Sequence, residues 1–178
     1  FTGTGTVKGF ETLLQKKIEK YTGWISYTYI DAEHVFPLLN DGLSFRAPHT
    51  LKNEFKIFNN YEINGWNFSV TFIYGSGEYF TEPSYKYDIT LLDDSNITFI
   101  GVGPKNGSLL PDYHRLDLAV HHIFNINKYK GDIGISIFNV YNRSNVWHYE
   151  YDFNQEPFLK TSKNYLGFIP NISLKFEF

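Results

Sequence analysis

The sequence predicts an all-β fold: an antiparallel up-and-down transmembrane β-barrel segment of about seven strands, with short periplasmic turns and long extracellular loops. Three observations lead there. Apolar residues repeat at every second position, as in Trp66, Phe68, Val70, Phe72 and Tyr74 against Asn67, Ser69 and Thr71, which is the period of a strand with two unlike faces. The connections between such stretches alternate strictly: tight near 20–23, 62–65 and 126–131, long near 37–48, 77–111 and 142–164. Membrane barrels alternate in the same way, with one rim of short turns and one of longer loops. Aromatic residues make up 19% of the chain, with 14 Tyr and 17 Phe, and such rings do better at a membrane interface than scattered on a water-facing surface.

The opening stretch carries Phe10, Leu13, Leu14 and Ile18, a spacing that also fits a helical face. Gly3, Gly5 and Gly9 make poor helix material, so a strand is expected. A turn at Tyr21 to Gly23 leads into "WISYTYIDA", where Ile25, Tyr27 and Tyr29 oppose Ser26 and Thr28. "LKNEFKIFNNY" follows from Leu51 to Tyr61. Glu62, Ile63, Asn64 and Gly65 then close a hairpin into the strand at 66–74, since the Asn-Gly pair tolerates positive φ. "YHRLDLAVHHIF" sets Leu116, Leu118, Val120 and Phe124 against Arg115, Asp117, Ala119 and His121, and a turn from Asn127 to Gly131 leads into "DIGISIFNVY". In the tail, Phe168, Ile172, Leu174, Phe176 and Phe178 take one parity and Asn171, Ser173, Lys175 and Glu177 the other. Strands of about 10 to 13 residues are expected, enough to cross a bilayer when tilted. Pro170 lacks an N–H and belongs near a strand end or a bulge. The greasy face then meets lipid and the polar face lines a wet lumen.

Composition bounds the rest. With 20% charged residues and a net charge of -3, no basic surface for nucleic acid is indicated. Cysteine is absent, which removes disulfides and thiolate metal sites. No basic and apolar leader opens the sequence, and no run nears the roughly 18 apolar residues of a spanning helix. A membrane protein of this composition has to cross with strands.

Three segments, "LPDYHRLDLAVHHIF", "GDIGISIFNVYNRSNVWHYEYD" and "YLGFIPNISLKFEF", resemble the C-terminal strands of TonB-dependent outer-membrane receptors, those of Bacteroidetes-like bacteria above all. "GTGTVKGFETLLQKKIEKYTGWISYTYIDAEHVFP" and "FIYGSGEYFTEP" resemble the preceding hairpins of that family, so the likeness spans essentially the whole chain. It implies a location in the outer membrane of a Gram-negative bacterium and energised uptake of a scarce ligand, such as a siderophore or other metal chelate, a vitamin or an oligosaccharide. The resemblance also implies a barrel of about 22 strands closed around a separate plug domain. On that basis the chain is the C-terminal part, with plug and earlier strands outside it. The implied partners are outer-membrane lipid, the TonB energy-coupling system acting through the plug, and the barrel-assembly machinery reading the terminal Phe178. No nucleic acid and no cofactor are implied.

The motifs that suggest chemistry have simpler explanations. "GTGTVKG" has no strand before it and no helix after it to aim amides at a phosphate. His121 and His122 point to opposite faces of a strand and cannot share an ion. Asp117 and His121 share a face but stand roughly 13 Å apart along the backbone. With His114 they form no preformed metal site, and Arg115 with Asp117 reads as charged lumen lining. No nucleophile, base and orienting group come together at a catalytic spacing, so no enzyme is expected. The triplets at Asn67, Asn96, Asn106, Asn142 and Asn171 match a glycosylation pattern, which alternating polarity accounts for within strands.

Ligand contact is expected on the long loops, through Tyr79, Phe80, Tyr85 and Tyr87 and through Trp147, Tyr149 and Tyr151, with His148 beside them. Aromatic rings with interspersed carboxylates suit a sugar ring or a chelate; the alternative placement is an interfacial belt at the outer rim. The competing function is an aromatic-rich all-β carbohydrate-binding module without transport.

Overall fold

The computed structural model describes residues 2–127, 129–155 and 157–177. Seven long strands form one antiparallel sheet in chain order: β1 (Thr4–Ile18), β2 (Tyr21–Val35), β4 (Asn53–Ile63), β5 (Trp66–Gly75), β10 (Tyr113–Ile126), β11 (Tyr129–Phe138) and β14 (Ile169–Glu177). Short β3 (Phe45–Arg46) adds to β2. The remaining strands lie inside the long connections. They are β6 (Tyr79–Phe80) with β9 (Ser108–Leu109), β7 (Pro83–Thr90) with β8 (Asn96–Val102), and β12 (Val146–Asp152) with β13 (Leu159–Asn164).

The up-and-down order follows from connection length. β1 and β2 are joined through Glu19 and Lys20, and β4 and β5 through Asn64 and Gly65. Asn64 and Gly65 both take positive φ, the left-handed pair that a two-residue hairpin needs to match the strand twist. A Cβ on Gly65 would press against the Ile123 carbonyl, which accepts no side chain there. These turns are tighter than the sequence suggests. Tyr21 to Gly23, Glu62, Ile63 and Tyr129 are all strand residues, because ladder pairing continues to within two residues of each turn. Pairing also lengthens β1 and β2 to 15 residues each, beyond the expected 10 to 13. Pro170 is the second residue of β14, near its end, where one missing N–H interrupts little of the ladder.

Cross-strand register sorts the sheet into two faces, because residues paired across an antiparallel ladder share a side. One face carries Leu14, Ile25, Ile57, Phe72 and Leu116 in successive pairs. It continues through Val70, Leu118 and Ile137, and through Val120, Ile135 and Ile172. Toward the short turns this face ends in Tyr61, Trp66, Phe68, Phe124 and Phe176. Toward the long connections it ends in Phe10, Tyr27, Tyr29, Phe55 and Tyr74. Rings within each set stack: Trp66 on Phe68 at 6.2 Å and Phe10 on Tyr29 at 5.9 Å, and Trp66 also stacks on His122 at 4.3 Å. The opposite face carries Ser26, Lys56, Thr71, Asp117 and Ser136.

Among the described residues no element covers the apolar face, whereas residues of the long connections lie over one end of the polar face. The apolar side of the interior strands stays open, with Ile25 43%, Val70 37% and Ile135 55% exposed. On β5 the polar residues Asn67, Ser69 and Thr71 are more sheltered than Trp66, Phe68 and Val70. Among the described residues the buried apolar side chains are Ala32, Phe45 and Ala47, a small cluster under the first long connection. Among the described residues no second layer lies over the apolar side. The sheet does not close into a barrel. β1 pairs only with β2 and β14 only with β11, so both outer edges carry unpaired backbone groups.

Candidate functional site

The three long connections gather at one end of the sheet, and a cleft of about 320 Å³ opens beneath them. Its floor is the polar side of the sheet: Glu54, Ile73, Tyr113, Arg115 and Phe138. Its walls come from the connections, chiefly Leu110, Pro111, Val146, Trp147, Tyr165 and Leu166, with Glu78 at the margin.

A run of asparagines fixes those walls. β11 leaves the sheet at Asn139, which takes a left-handed φ of 52° that asparagine tolerates better than most residues. Its N–H donates to Asp117 Oδ1 at 2.9 Å, and its Nδ2 donates to the carbonyls of Arg143 at 2.9 Å and Leu166 at 3.3 Å. Asn145 matches both backbone groups of His114. Its Oδ1 accepts the N–H at 3.0 Å and its Nδ2 donates to the carbonyl at 2.9 Å, while the Asn145 carbonyl accepts the Tyr165 N–H at 2.8 Å. Both side chains are buried, Asn139 fully. Burying an amide is favourable only when its hydrogen bonds are made, and here they are. The result is a rigid base that holds Trp147 and Tyr165 over the floor.

The floor carries its own ion pair. Arg115 Nε donates to Asp117 Oδ2 at 2.9 Å and its Nη1 donates to the Tyr113 hydroxyl at 2.9 Å, while the guanidinium lies 4.2 Å from the Phe138 ring centroid. Asp117 therefore serves two purposes, orienting Arg115 and pinning the turn at Asn139. Burial pushes the Tyr165 hydroxyl above its usual pKa, with the Glu78 charge adding to the shift.

The residues singled out in the sequence fall in four places. Trp147 lines the cleft. Phe80, Tyr149 and Tyr151 gather around Lys160, whose Nζ lies 4.0 Å from the Tyr149 ring centroid and 2.5 Å from Glu82 Oε1. Glu82 also accepts from the Tyr151 hydroxyl at 3.0 Å and from Ser108 Oγ at 3.0 Å. The Lys160 and Ser108 hydrogen bonds hold its carboxyl below the usual range. Tyr151 is pushed up to about 12, by burial first and by Glu82 second. Tyr85 and Tyr87 stack along β7 with Phe99, apart from both clusters, and Tyr79 sits under Arg46 at 5.8 Å.

Tyr113, Tyr165, Glu54 and Glu78 were not singled out in the sequence. They lie on four separate segments, Glu54 and Tyr113 joined through the ladder and Glu78 and Tyr165 through backbone contacts to Leu110 and Asn145. The asparagines of "NVYNRSN" offered more, since left-handed turns and buried side-chain caps both favour that residue. His114, His121 and His122 do not converge: His114 Nδ1 bonds the Tyr141 hydroxyl at 2.7 Å, His121 faces Asp132 and His122 stacks on Trp66. Among the described residues no three His, Asp or Glu side chains are grouped to hold a metal ion. Phe178 lies outside the described residues. No family model, curated protein or solved structure matches the chain.

Proposed function

We propose that this chain forms part of the wall of an outer-membrane β-barrel receptor of the TonB-dependent kind, with lipid against its apolar face and a wet lumen against its polar one. The observation that carries the proposal is the uncovered apolar face, mostly aliphatic in the middle, with Phe72 and Asn59 among the aliphatic side chains, and aromatic at both ends. From Trp66 to Tyr74 the strand advances about 26 Å, and from Phe124 to His114 about 33 Å, at the ordinary strand rise. Tilted by about 40°, such spans cover roughly 20 to 25 Å, the height of the apolar band of a membrane barrel between its aromatic girdles. Short turns at one end and folded connections at the other fit the two rims of such a wall. The cleft then sits at the outer end of the lumen face, where a ligand arrives before energised uptake through a plug.

The open edges fit the same picture. With seven strands alternating in direction, β1 and β14 run the same way, so an antiparallel wall closes only through an odd number of further strands. The alternative, a carbohydrate-binding module free in solution, has to leave the whole apolar face in water. Refolding separates the two. The chain is expected to gain strand circular dichroism in polyoxyethylene detergent micelles or lipid vesicles and to precipitate in plain buffer. A folded, monomeric chain without detergent contradicts the membrane wall.

A further inference from the structure

The cleft walls are not a flat platform. Tyr113 and Tyr165 meet edge to face at 5.4 Å, and Trp147 stands 6.1 Å from Tyr165 at 43°, so three rings border one space from different directions. A sugar presents flat C–H faces that suit roughly parallel rings. A rounded cation with an apolar coat suits rings set at angles to one another, because any ring face it meets presents the negative side of a quadrupole.

The charges favour the same guest. Arg115, the one cationic side chain of the cleft among the described residues, is neutralised by Asp117. Glu54 is paired with Lys56 Nζ at 2.7 Å. Glu78 has as its ion partner His49, at 3.6 Å, which carries charge only when protonated. One carboxylate of the cleft lining is left over, and its charge acts on Tyr165. The volume, about 320 Å³, is at the small end of ligand pockets, which run from roughly 300 to 1,000 Å³.

We propose that the cleft binds an organic cation of the quaternary or alkylated ammonium class, its alkyl groups against Trp147, Tyr165 and Tyr113 and its charge facing Glu78. The proposal rests on the cleft being the ligand-facing site of the receptor wall. It is tested by calorimetric titration of the full chain in polyoxyethylene detergent, which carries no choline headgroup. The probes are choline, its uncharged isostere 3,3-dimethylbutan-1-ol, and glucose. Choline is expected to bind roughly tenfold more tightly than the isostere, the effect of one desolvated cation–ring contact with a nearby carboxylate. Glu78→Gln weakens choline and leaves the isostere unchanged; Trp147→Leu weakens both; Trp147→Phe keeps most of the choline affinity. Trp147 is 57% exposed, so its truncation removes little buried surface, and circular dichroism of each variant checks that its strands are kept. Equal binding of choline and the isostere, tighter binding of glucose, or no binding of choline overturns the proposal. Vesicle insertion is measured on the same preparation: its failure removes the membrane wall, whereas failure of choline alone removes only the cation site.

Discussion

Asn145 shows how one side chain can set a site it does not touch. It occupies both backbone groups of His114 and through its own carbonyl positions Tyr165. Asn145→Ala strands a buried donor and acceptor, and should cost about 2 kcal/mol in a urea titration of the lipid-held chain. Trypsin should then cleave faster within 142–164. Phe72 and Thr71 make the complementary pair, adjacent in β5 but on opposite faces. Phe72→Lys should cost about 2 to 4 kcal/mol in vesicles, as charges do on a lipid-facing wall, and Thr71→Lys should cost little. Equal penalties at the two positions would count against the assigned faces.

At the scale of elements, hairpin β12–β13 is held to the second long connection by Glu82, which bonds Lys160 and Tyr151 of the hairpin and Ser108 of its own connection. Lys160 first and Ser108 next depress the folded-state pKa of Glu82. The stability this group contributes is therefore present above the ordinary glutamate pKa and lost as pH falls through the lowered value. Near-ultraviolet circular dichroism of the tyrosines should change in that acid range, and Glu82→Gln should remove the transition. In alkaline titration at 295 nm Tyr151 should ionise near pH 12. Most long strands were legible because a period of two shows in them, from Ile25, Tyr27 and Tyr29 to Ile172, Leu174 and Phe176, whereas β1, with Phe10, Leu13, Leu14 and Ile18, fits a helical face as well. Hairpins β7–β8 and β12–β13 were not, since they are short and interrupted by register shifts at Pro83/Tyr85 and Val146/His148 that break the alternation. The cleft was hidden for a different reason: Tyr113, Trp147 and Tyr165 become neighbours only through ladder register and the Asn139 and Asn145 contacts, neither of which is written in local sequence.

For the whole molecule, the question is what lies against each face of the sheet. Trp66 stands on the apolar face near the short turns, and Trp24 on the polar face, stacked against Phe58 at 6.0 Å. Single-tryptophan variants, with the other tryptophans changed to Phe, can be placed in vesicles of lipid brominated on the upper acyl chain. Trp66 should be quenched strongly by the bromines and hardly by aqueous iodide. Trp24 should behave in the opposite way. Iodide reaching Trp66 while the bromines do not, or the same response at both positions, would contradict a wall with hydrocarbon on one side and water on the other.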